Sequence, residues 1–168
     1  EAALCRPSGG MATQFPLATD AKPGVGAIFE EDAHMLFYEA GAPAVIAQVV
    51  MRTVASNGVM EPHEVEKKIL KRSLHTPGTV VLCVENTHNR KGGVLTPPSV
   101  MRQYRDIADR NNMKIHLDGA RIFNAAVSLG IEVKQLVRSA DSLSFCLSKG
   151  LGSPVGSPRR PPISRRNA

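Results

Sequence analysis

The sequence predicts an α/β fold in which helices cover both faces of a mainly parallel sheet, giving three layers. Short apolar runs rich in β-branched residues alternate along the chain with amphipathic segments at helical spacing. Most of these runs are almost continuously apolar, which is typical of strands buried on both faces. With 168 residues and 42% hydrophobic residues, the chain can form one packed domain.

Five segments have the composition of strands. They are residues 26–30 (GAIFE), 44–50 (AVIAQVV), 79–86 (TVVLCVEN), 114–118 (KIHLD) and 142–148 (SLSFCLS). The segments between them carry helix signals. We expect a helix after the turn in CRPSGGMATQ, and three more over residues 61–74, 97–113 and 123–130. Pro62 and Pro98 suit first turns of helices, and Gly130 stands at a helix-stop position.

Composition excludes several classes of function. The net charge is +6, but four of these charges are arginines in the last eleven residues, PRRPPISRRNA, and aromatic residues make up only 4%. We therefore expect no nucleic-acid partner, and no apolar stretch is long enough for a membrane span. Cys5, Cys83 and Cys146 do not have the spacing of metal ligands. His116 and Asp118 alternate on one strand, but two ligands are too few for a metal site, so we expect no metal.

The residues with chemical potential follow strands or begin a helix. Asp118 ends one predicted strand, with Arg121 three positions on, and Lys149 follows another. An anion-binding turn is predicted before the first helix, at Ser8, Gly9 and Gly10. Each signal alone has an ordinary structural explanation, such as a solvated strand end or a turn. Together they suit a phosphorylated aldehyde cofactor, pyridoxal 5'-phosphate (PLP), whose ring nitrogen, aldehyde and phosphate need a carboxylate, a lysine and an anion turn.

Longer stretches identify a family. The segments EAALCRPSGGMATQ, EDAHMLFYEAGAPAV, HTPGTVVLCVENTHNRKGGVL, HLDGARIFNAAVSLG and DSLSFCLSKGLGSPVGS resemble the low-specificity L-threonine aldolases in the family's order. The resemblance implies an incomplete large domain of the PLP-dependent transferase-like (aspartate-aminotransferase-like) fold over residues 1–157. Residues 158–168 have no counterpart, and we expect this Pro/Arg-rich tail to be disordered.

The resemblance also implies site roles. Lys149 matches the Schiff-base lysine, and Asp118 matches the partner of the pyridine nitrogen. Arg121 matches an arginine near the phosphate and the substrate carboxylate. His34 matches the histidine stacked on the cofactor ring, and His75 matches a histidine near the substrate hydroxyl. His34, His75 and Lys149 are thus the candidate catalytic residues, and Lys149, Asp118, Arg121, His34 and residues 8–10 are the candidate cofactor-binding residues.

The implied reaction is retro-aldol cleavage of L-threonine or L-allo-threonine to glycine and acetaldehyde, a lyase reaction of threonine catabolism and glycine biosynthesis. The resemblance further implies a small β-hydroxy amino acid as substrate and a homo-oligomer in the intact family. Cys83 and Cys146 lie inside apolar runs, as buried thiols of a reducing compartment do, and we expect a cytoplasmic location. Two departures bear on activity. Gly10 stands where the family has threonine, and Pro43 stands where it has a small residue. The alternatives are a catalytically dead remnant that binds PLP weakly or pairs with a full-length subunit, and a tail that binds acidic or proline-recognising partners.

Overall fold

The computed structural model describes residues 3–160. Strands and helices alternate along most of this range. The strands are β1 (Leu4–Arg6), β2 (Gly26–Glu30), β3 (Val50–Val54), β4 (Thr79–Glu85), β5 (Lys114–Asp118), β6 (Ser142–Ser144) and β7 (Ser157–Arg160). The helices are α1 (Gly9–Asp20), α2 (His34–Phe37), α3 (Ala42–Val45), α4 (Pro62–Lys67), α5 (Pro98–Arg110), α6 (Ile122–Leu129) and α7 (Val133–Val137).

The seven strands form one sheet in the order β1-β7-β6-β5-β4-β2-β3. The neighbours from β3 to β6 are all parallel, and β7 pairs antiparallel with both β6 and β1. The chain places β3 on one side of β2, and β4, β5 and β6 on the other. The strand order therefore reverses next to β2, and ligands of open α/β sheets bind near such reversals, at the carboxyl ends of the strands.

Two apolar clusters cover the two faces of the sheet. Alternate residues of β4 enter different clusters: Leu82 and Val84 belong to one, and Val81 and Cys83 belong to the other. The first cluster includes Tyr104 of α5, and the second includes residues of α1 and α2. Because successive side chains of a strand point to opposite faces, this division confirms the predicted three layers with a mainly parallel sheet.

Three predicted strands and one helix are confirmed closely: β2, β4 and β5, and α5 with its proline-rich start. The helix predicted over 123–130 is also confirmed as α6, and Gly130 at its end adopts φ 62°. The first predicted helix is also present, as α1, and it begins at Gly9, inside the predicted anion-binding turn. The Ser8 side chain caps it by accepting a hydrogen bond from the Met11 amide.

The strand prediction over 44–50 is wrong. Residues Ala42–Val45 form α3, and the strand begins only at Val50. Gly41, at φ 76°, turns the chain, and Pro43 lies in the first turn of the helix, where its fixed φ and missing N–H are tolerated. A short apolar run does not distinguish a strand from a short buried helix, so its composition misled the prediction.

Two other elements are shorter than predicted. The helix predicted over 61–74 ends at Lys67, because the Leu70 backbone pairs with Thr79 at the start of β4. Strand β6 ends at Ser144 rather than residue 148, and Phe145 and Leu147 donate instead to the carbonyls of the returning chain at Pro158 and Gly156.

The C-terminal tail differs from the prediction at its start. Residues 158–160 lie in β7 and pair with the sheet, whereas a disordered segment was expected from residue 158. Residues 161–168 lie outside the described part of the chain. Within residues 3–160, none of the helices has the length and apolar character needed to cross a membrane.

Candidate active site

A recess lies at the carboxyl edge of the sheet, where the sequence predicted a site. Its empty space, counted together with the part that is open to solvent, is about 250 Å³. Side chains from α1, from the segment after β2, from the end of β5 and from the turn after β6 line it. Those that carry its chemistry are Thr13, His34, Glu39, Asp118, Ser144 and Lys149. The fold thus brings together groups that are more than a hundred positions apart in the sequence.

Asp118 is the last residue of β5, and its side chain is buried. Its carboxylate accepts a hydrogen bond from the Ala120 amide at 3.2 Å. Burial raises the pKa of Asp118, while His34 and Lys149 nearby oppose that rise. A buried carboxylate with cationic neighbours is suited to hold a protonated ring nitrogen of a bound cofactor.

Lys149 lies in the turn between β6 and β7, and its partly buried side chain lines the recess. The Lys149 carbonyl accepts a hydrogen bond from the Gly152 amide at 3.0 Å, which closes the turn. Its amine is close enough to influence the pKa values of His34, Glu39 and Asp118. The opposed charges of Lys149 and Asp118 therefore share one cavity.

His34 is the first residue of α2 and is half-buried. Its ring stacks on Tyr38, with centroids 5.0 Å apart. Burial lowers the pKa of His34, the nearby Asp118 carboxylate opposes this, and Lys149 and Arg121 add to the lowering. The imidazole therefore tends to be neutral near neutral pH, which is the form that accepts a proton.

Ser8 caps α1, and Gly9 and Gly10 lie in its first turn, whose amides have no partners within the helix. Glu39 lies beside this turn: its carboxylate is 3.7 Å from the position a Cβ on Gly10 would occupy. Thr13 donates to Glu39 Oε1 at 2.5 Å, and Gln14 donates to Oε2. Burial raises the pKa of Glu39, and these two hydrogen bonds oppose the rise.

Four predicted residues do not line the recess. Ser8 and Gly10 flank Gly9, which does line it. Arg121 donates to Asn89 Oδ1 at 3.0 Å and acts on His34 and Asp118 through its charge. His75 lies on an exposed turn before β4, where its amide donates to Ser73 Oγ at 3.2 Å. The role of His75 therefore stays a prediction, without support from the geometry of this chain.

The donor set fits PLP. The recess combines a lysine, a buried carboxylate and the start of a helix, and Ser144 contributes a buried hydroxyl with no hydrogen-bond partner. An unpartnered buried hydroxyl is costly, and a polar ligand would satisfy it. Glu39 opposes the fit, because an ionised carboxylate repels a phosphate. The raised pKa of Glu39 reduces that repulsion.

Sequence reasoning missed Glu39, Thr13 and Ser144. Glu39 belongs to the segment EDAHMLFYEAG and Ser144 belongs to SLSFCLS, so both residues lie within segments that resemble the family. Glu39 is 26 positions from Thr13 in the sequence, and only the contact between the two side chains reveals that Glu39 faces the site. A carboxylate followed by Ala-Gly at the end of a short helix was the available signal, and it is too common to be specific.

The three-layer, mainly parallel architecture is the PLP-dependent transferase-like fold. A threonine aldolase of Leishmania major superposes with a TM-score of 0.84 at 17% identity, covering 94% of this chain and 46% of that one. An aspartate aminotransferase double mutant of Thermus thermophilus gives 0.71 at 14% identity, covering 95% and 41%. At such identities the likeness shows the fold alone.

Sequence comparison gives the family. The chain belongs to the beta-eliminating lyase family, which it matches over residues 1–158. It is 40% identical over 162 residues to probable low-specificity L-threonine aldolase 2 of Arabidopsis thaliana, covering 94% of this chain and 46% of that protein. It is 36% identical over 159 residues to the low specificity L-threonine aldolase of Escherichia coli K12, covering 94% and 47%. The chain spans about half the length of these curated relatives.

Proposed function

We propose that this chain is the cofactor-binding part of a PLP-dependent carbon-carbon lyase that cleaves L-threonine or L-allo-threonine to glycine and acetaldehyde. The observation that carries the proposal is the recess, in which Lys149, Asp118 and His34 meet at the carboxyl edge of the sheet. The identity to threonine aldolases over 94% of the chain supports the same reaction class.

Each residue has a distinct task in binding. Lys149 is the amine that would hold the cofactor through its aldehyde carbon, and Asp118 would keep the ring nitrogen protonated. The start of α1 and the turn at residues 8–10 would take the phosphate, and His34 would cover the ring. Arg121, beside Asn89, is the cation available for a substrate carboxylate. When bound, PLP supplies the electron sink for cleavage of the Cα–Cβ bond.

The protein's part of the chemistry is a proton transfer. Cleavage requires removal of the proton from the substrate β-hydroxyl, and a proton must be delivered to Cα as glycine forms. His34 is the base that the recess offers, because its lowered pKa leaves it neutral near neutral pH. His75 is the other candidate, in line with the family resemblance.

The first test is whether Lys149 binds PLP. The purified chain is incubated with PLP, reduced with borohydride and mapped by peptide mass. We expect one pyridoxyl adduct, on Lys149, and we expect its loss in Lys149→Ala but not in Lys22→Ala, which changes an exposed lysine outside the recess. An adduct spread over surface lysines would contradict the proposal.

The second test is turnover. Release of acetaldehyde from L-threonine and L-allo-threonine is followed with PLP present, and we expect activity that Lys149→Ala abolishes and Lys22→Ala keeps. A chain that forms the Lys149 adduct and releases no acetaldehyde would be the catalytically dead remnant.

Gly10 stands where the family has threonine, so the phosphate turn of this chain has one hydroxyl donor fewer. We therefore expect Gly10→Thr to tighten PLP binding.

The wider assignments are part of the same proposal. We assign residues 1–157 to the PLP-binding core, with a small β-hydroxy amino acid as substrate and a second copy of the chain as partner. Cys5, Cys83 and Cys146 are unpaired thiols in the structure, as suits the reducing conditions of the cytoplasm, where we place the protein.

A further inference from the structure

A buried ionic cluster lies behind the recess, and the proposed function leaves it without a role. It consists of Glu30 at the end of β2, Glu85 at the end of β4, and His88 in the following loop. Their relative exposures are 2%, 7% and 0%. Burying ionisable groups is costly unless each finds partners, so their position requires a physical reason.

The outer part of the cluster is a fixed pair. His88 Nε2 lies 2.9 Å from Glu30 Oε2 and 3.7 Å from Glu85 Oε2, so one imidazole bridges both carboxylates. Ser56 donates to Glu30 Oε1 at 3.0 Å, and the Asp32 amide donates to Glu30 Oε2 at 2.6 Å. Glu30 is therefore bonded through both oxygens, and it holds His88 in place.

The inner part reaches the recess. Glu85 Oε2 accepts a hydrogen bond from the His34 amide at 2.9 Å, and Glu85 Oε1 accepts one from the Asn89 amide at 2.8 Å. One carboxylate thus ties the first residue of α2 to the loop after β4. Glu85 is also paired with Asp118 in the register of β4 with β5, so it lies on the neighbouring strand directly beside the proposed cofactor partner.

We propose that Glu85 is a positioning residue for His34, and that the His88–Glu30 pair fixes the Glu85 carboxylate for this task. Helix α2 has only four residues and cannot fix its own first residue, because a single helical turn is marginal alone. The hydrogen bond from Glu85 supplies that constraint and sets where the His34 ring lies over the recess. This inference rests on the proposed function in one respect: the positioned His34 ring is taken to act on bound PLP.

A double-mutant cycle on PLP affinity tests the coupling. The dissociation constant is measured by absorbance titration for wild type, Glu85→Gln, His34→Ala and the double variant. A glutamine has one acceptor oxygen and an NH₂ group, so it cannot accept both amides with full strength. We expect Glu85→Gln to weaken binding about tenfold, and to have almost no effect once His34 is alanine. Equal effects in both backgrounds would overturn the proposal.

The matched control is Glu31→Gln. Glu31 is an exposed neighbour of Glu30, so its replacement changes the charge by the same amount and removes none of the hydrogen bonds described for the cluster. We expect wild-type affinity from this variant. An effect of Glu31→Gln as large as that of Glu85→Gln would show that net charge, and not position, is responsible, and would refute the inference.

A second readout needs no cofactor. Hydrogen exchange of the His34 amide is followed by NMR in the cofactor-free chain, and we expect faster exchange in Glu85→Gln and in Glu30→Gln, but not in Glu31→Gln. Glu30→Gln serves if Glu85→Gln does not fold. Unchanged exchange in a folded variant would disprove the positioning role, whereas a wild-type chain that fails to bind PLP would count against the proposed function alone.

Discussion

Asp118 shows at the scale of one residue how binding chemistry opposes stability. Its carboxylate is buried, and burial raises its pKa because the charged form loses hydration. Folding therefore disfavours the form that a cofactor needs. The cost is offset only in part by His34, Lys149 and the Ala120 amide.

We expect Asp118→Asn to stabilise the cofactor-free chain at neutral pH by about 1–2 kcal/mol, since a neutral amide of the same shape avoids the buried charge. A raised carboxyl pKa in the folded state means that the charge lowers stability above that pKa and has no effect below the unfolded value. The gain should therefore shrink as the pH falls through the raised pKa towards the ordinary aspartate pKa of 3.8.

Chemical denaturation without PLP, repeated across the pH range, measures this difference. The same variant should bind PLP more weakly, because the ring nitrogen loses its carboxylate. Asp106→Asn, at an exposed position of α5, is the control and should change stability little at any pH. A constant gain at all pH values would contradict the explanation from charge burial.

At the scale of elements, the crossing from β5 to α6 determines where Asp118 lies. Gly119 donates to the Ser144 carbonyl at 2.8 Å, and its own carbonyl accepts from the Ile122 amide at 2.8 Å. A Cβ on Gly119 would stand 2.8 Å from Leu143 Cδ1, 3.0 Å from Ile122 Cβ and 3.2 Å from the Ser144 carbonyl oxygen. The turn thus brings β5, β6 and α6 together at a distance that only glycine allows.

Gly119→Ala should cost about 1–3 kcal/mol of stability, because the crowding involves a backbone oxygen and a Cβ that cannot move independently. Gly10→Ala is the matched control, since its Cβ would meet Glu39 at an ordinary contact distance of 3.7 Å. Thermal unfolding of the two variants separates them. Equal melting temperatures would show that the β5–α6 turn relaxes freely.

The same scale explains what the sequence could and could not predict. Strands β2, β4 and β5 were recognisable because continuous apolar runs are required where both faces are covered. Helix α3 was not, because Gly41 and Pro43 override the composition of the run that follows. Lys149 and Asp118 could be identified from their positions at strand ends and from the family resemblance. Glu39 and the Glu30–His88–Glu85 cluster could not, because their roles depend on contacts between segments that are distant in the sequence.

At the scale of the whole molecule, one end of the sheet is apolar and open. The edge strand β3 carries exposed Val50, and Val45 at the end of α3 is 75% exposed. Tyr38 and Ile46, which directly follow α2 and α3, are 56% and 61% exposed. An open edge strand beside exposed apolar side chains is typical of an interface. This surface, the α2–α3–β3 face, is where we expect a second copy to bind.

Ile46→Glu should weaken association between copies, because it places a charge in the centre of the α2–α3–β3 face. Sedimentation velocity at several concentrations measures the change. Val127→Glu introduces the same charge at an exposed position of α6, away from this face, and should leave association unchanged. Association that responds to Val127 and not to Ile46 would assign the interface to the opposite side of the sheet.

The antiparallel pairing of β7 with β1 has a consequence for access to the recess. The two strands lie side by side, and Ser157 of β7 and Gly9, just after β1, both line the recess. Local opening of the β1–β7 pair would therefore widen the recess, so we expect the strength of this pairing to affect how long a ligand stays bound there.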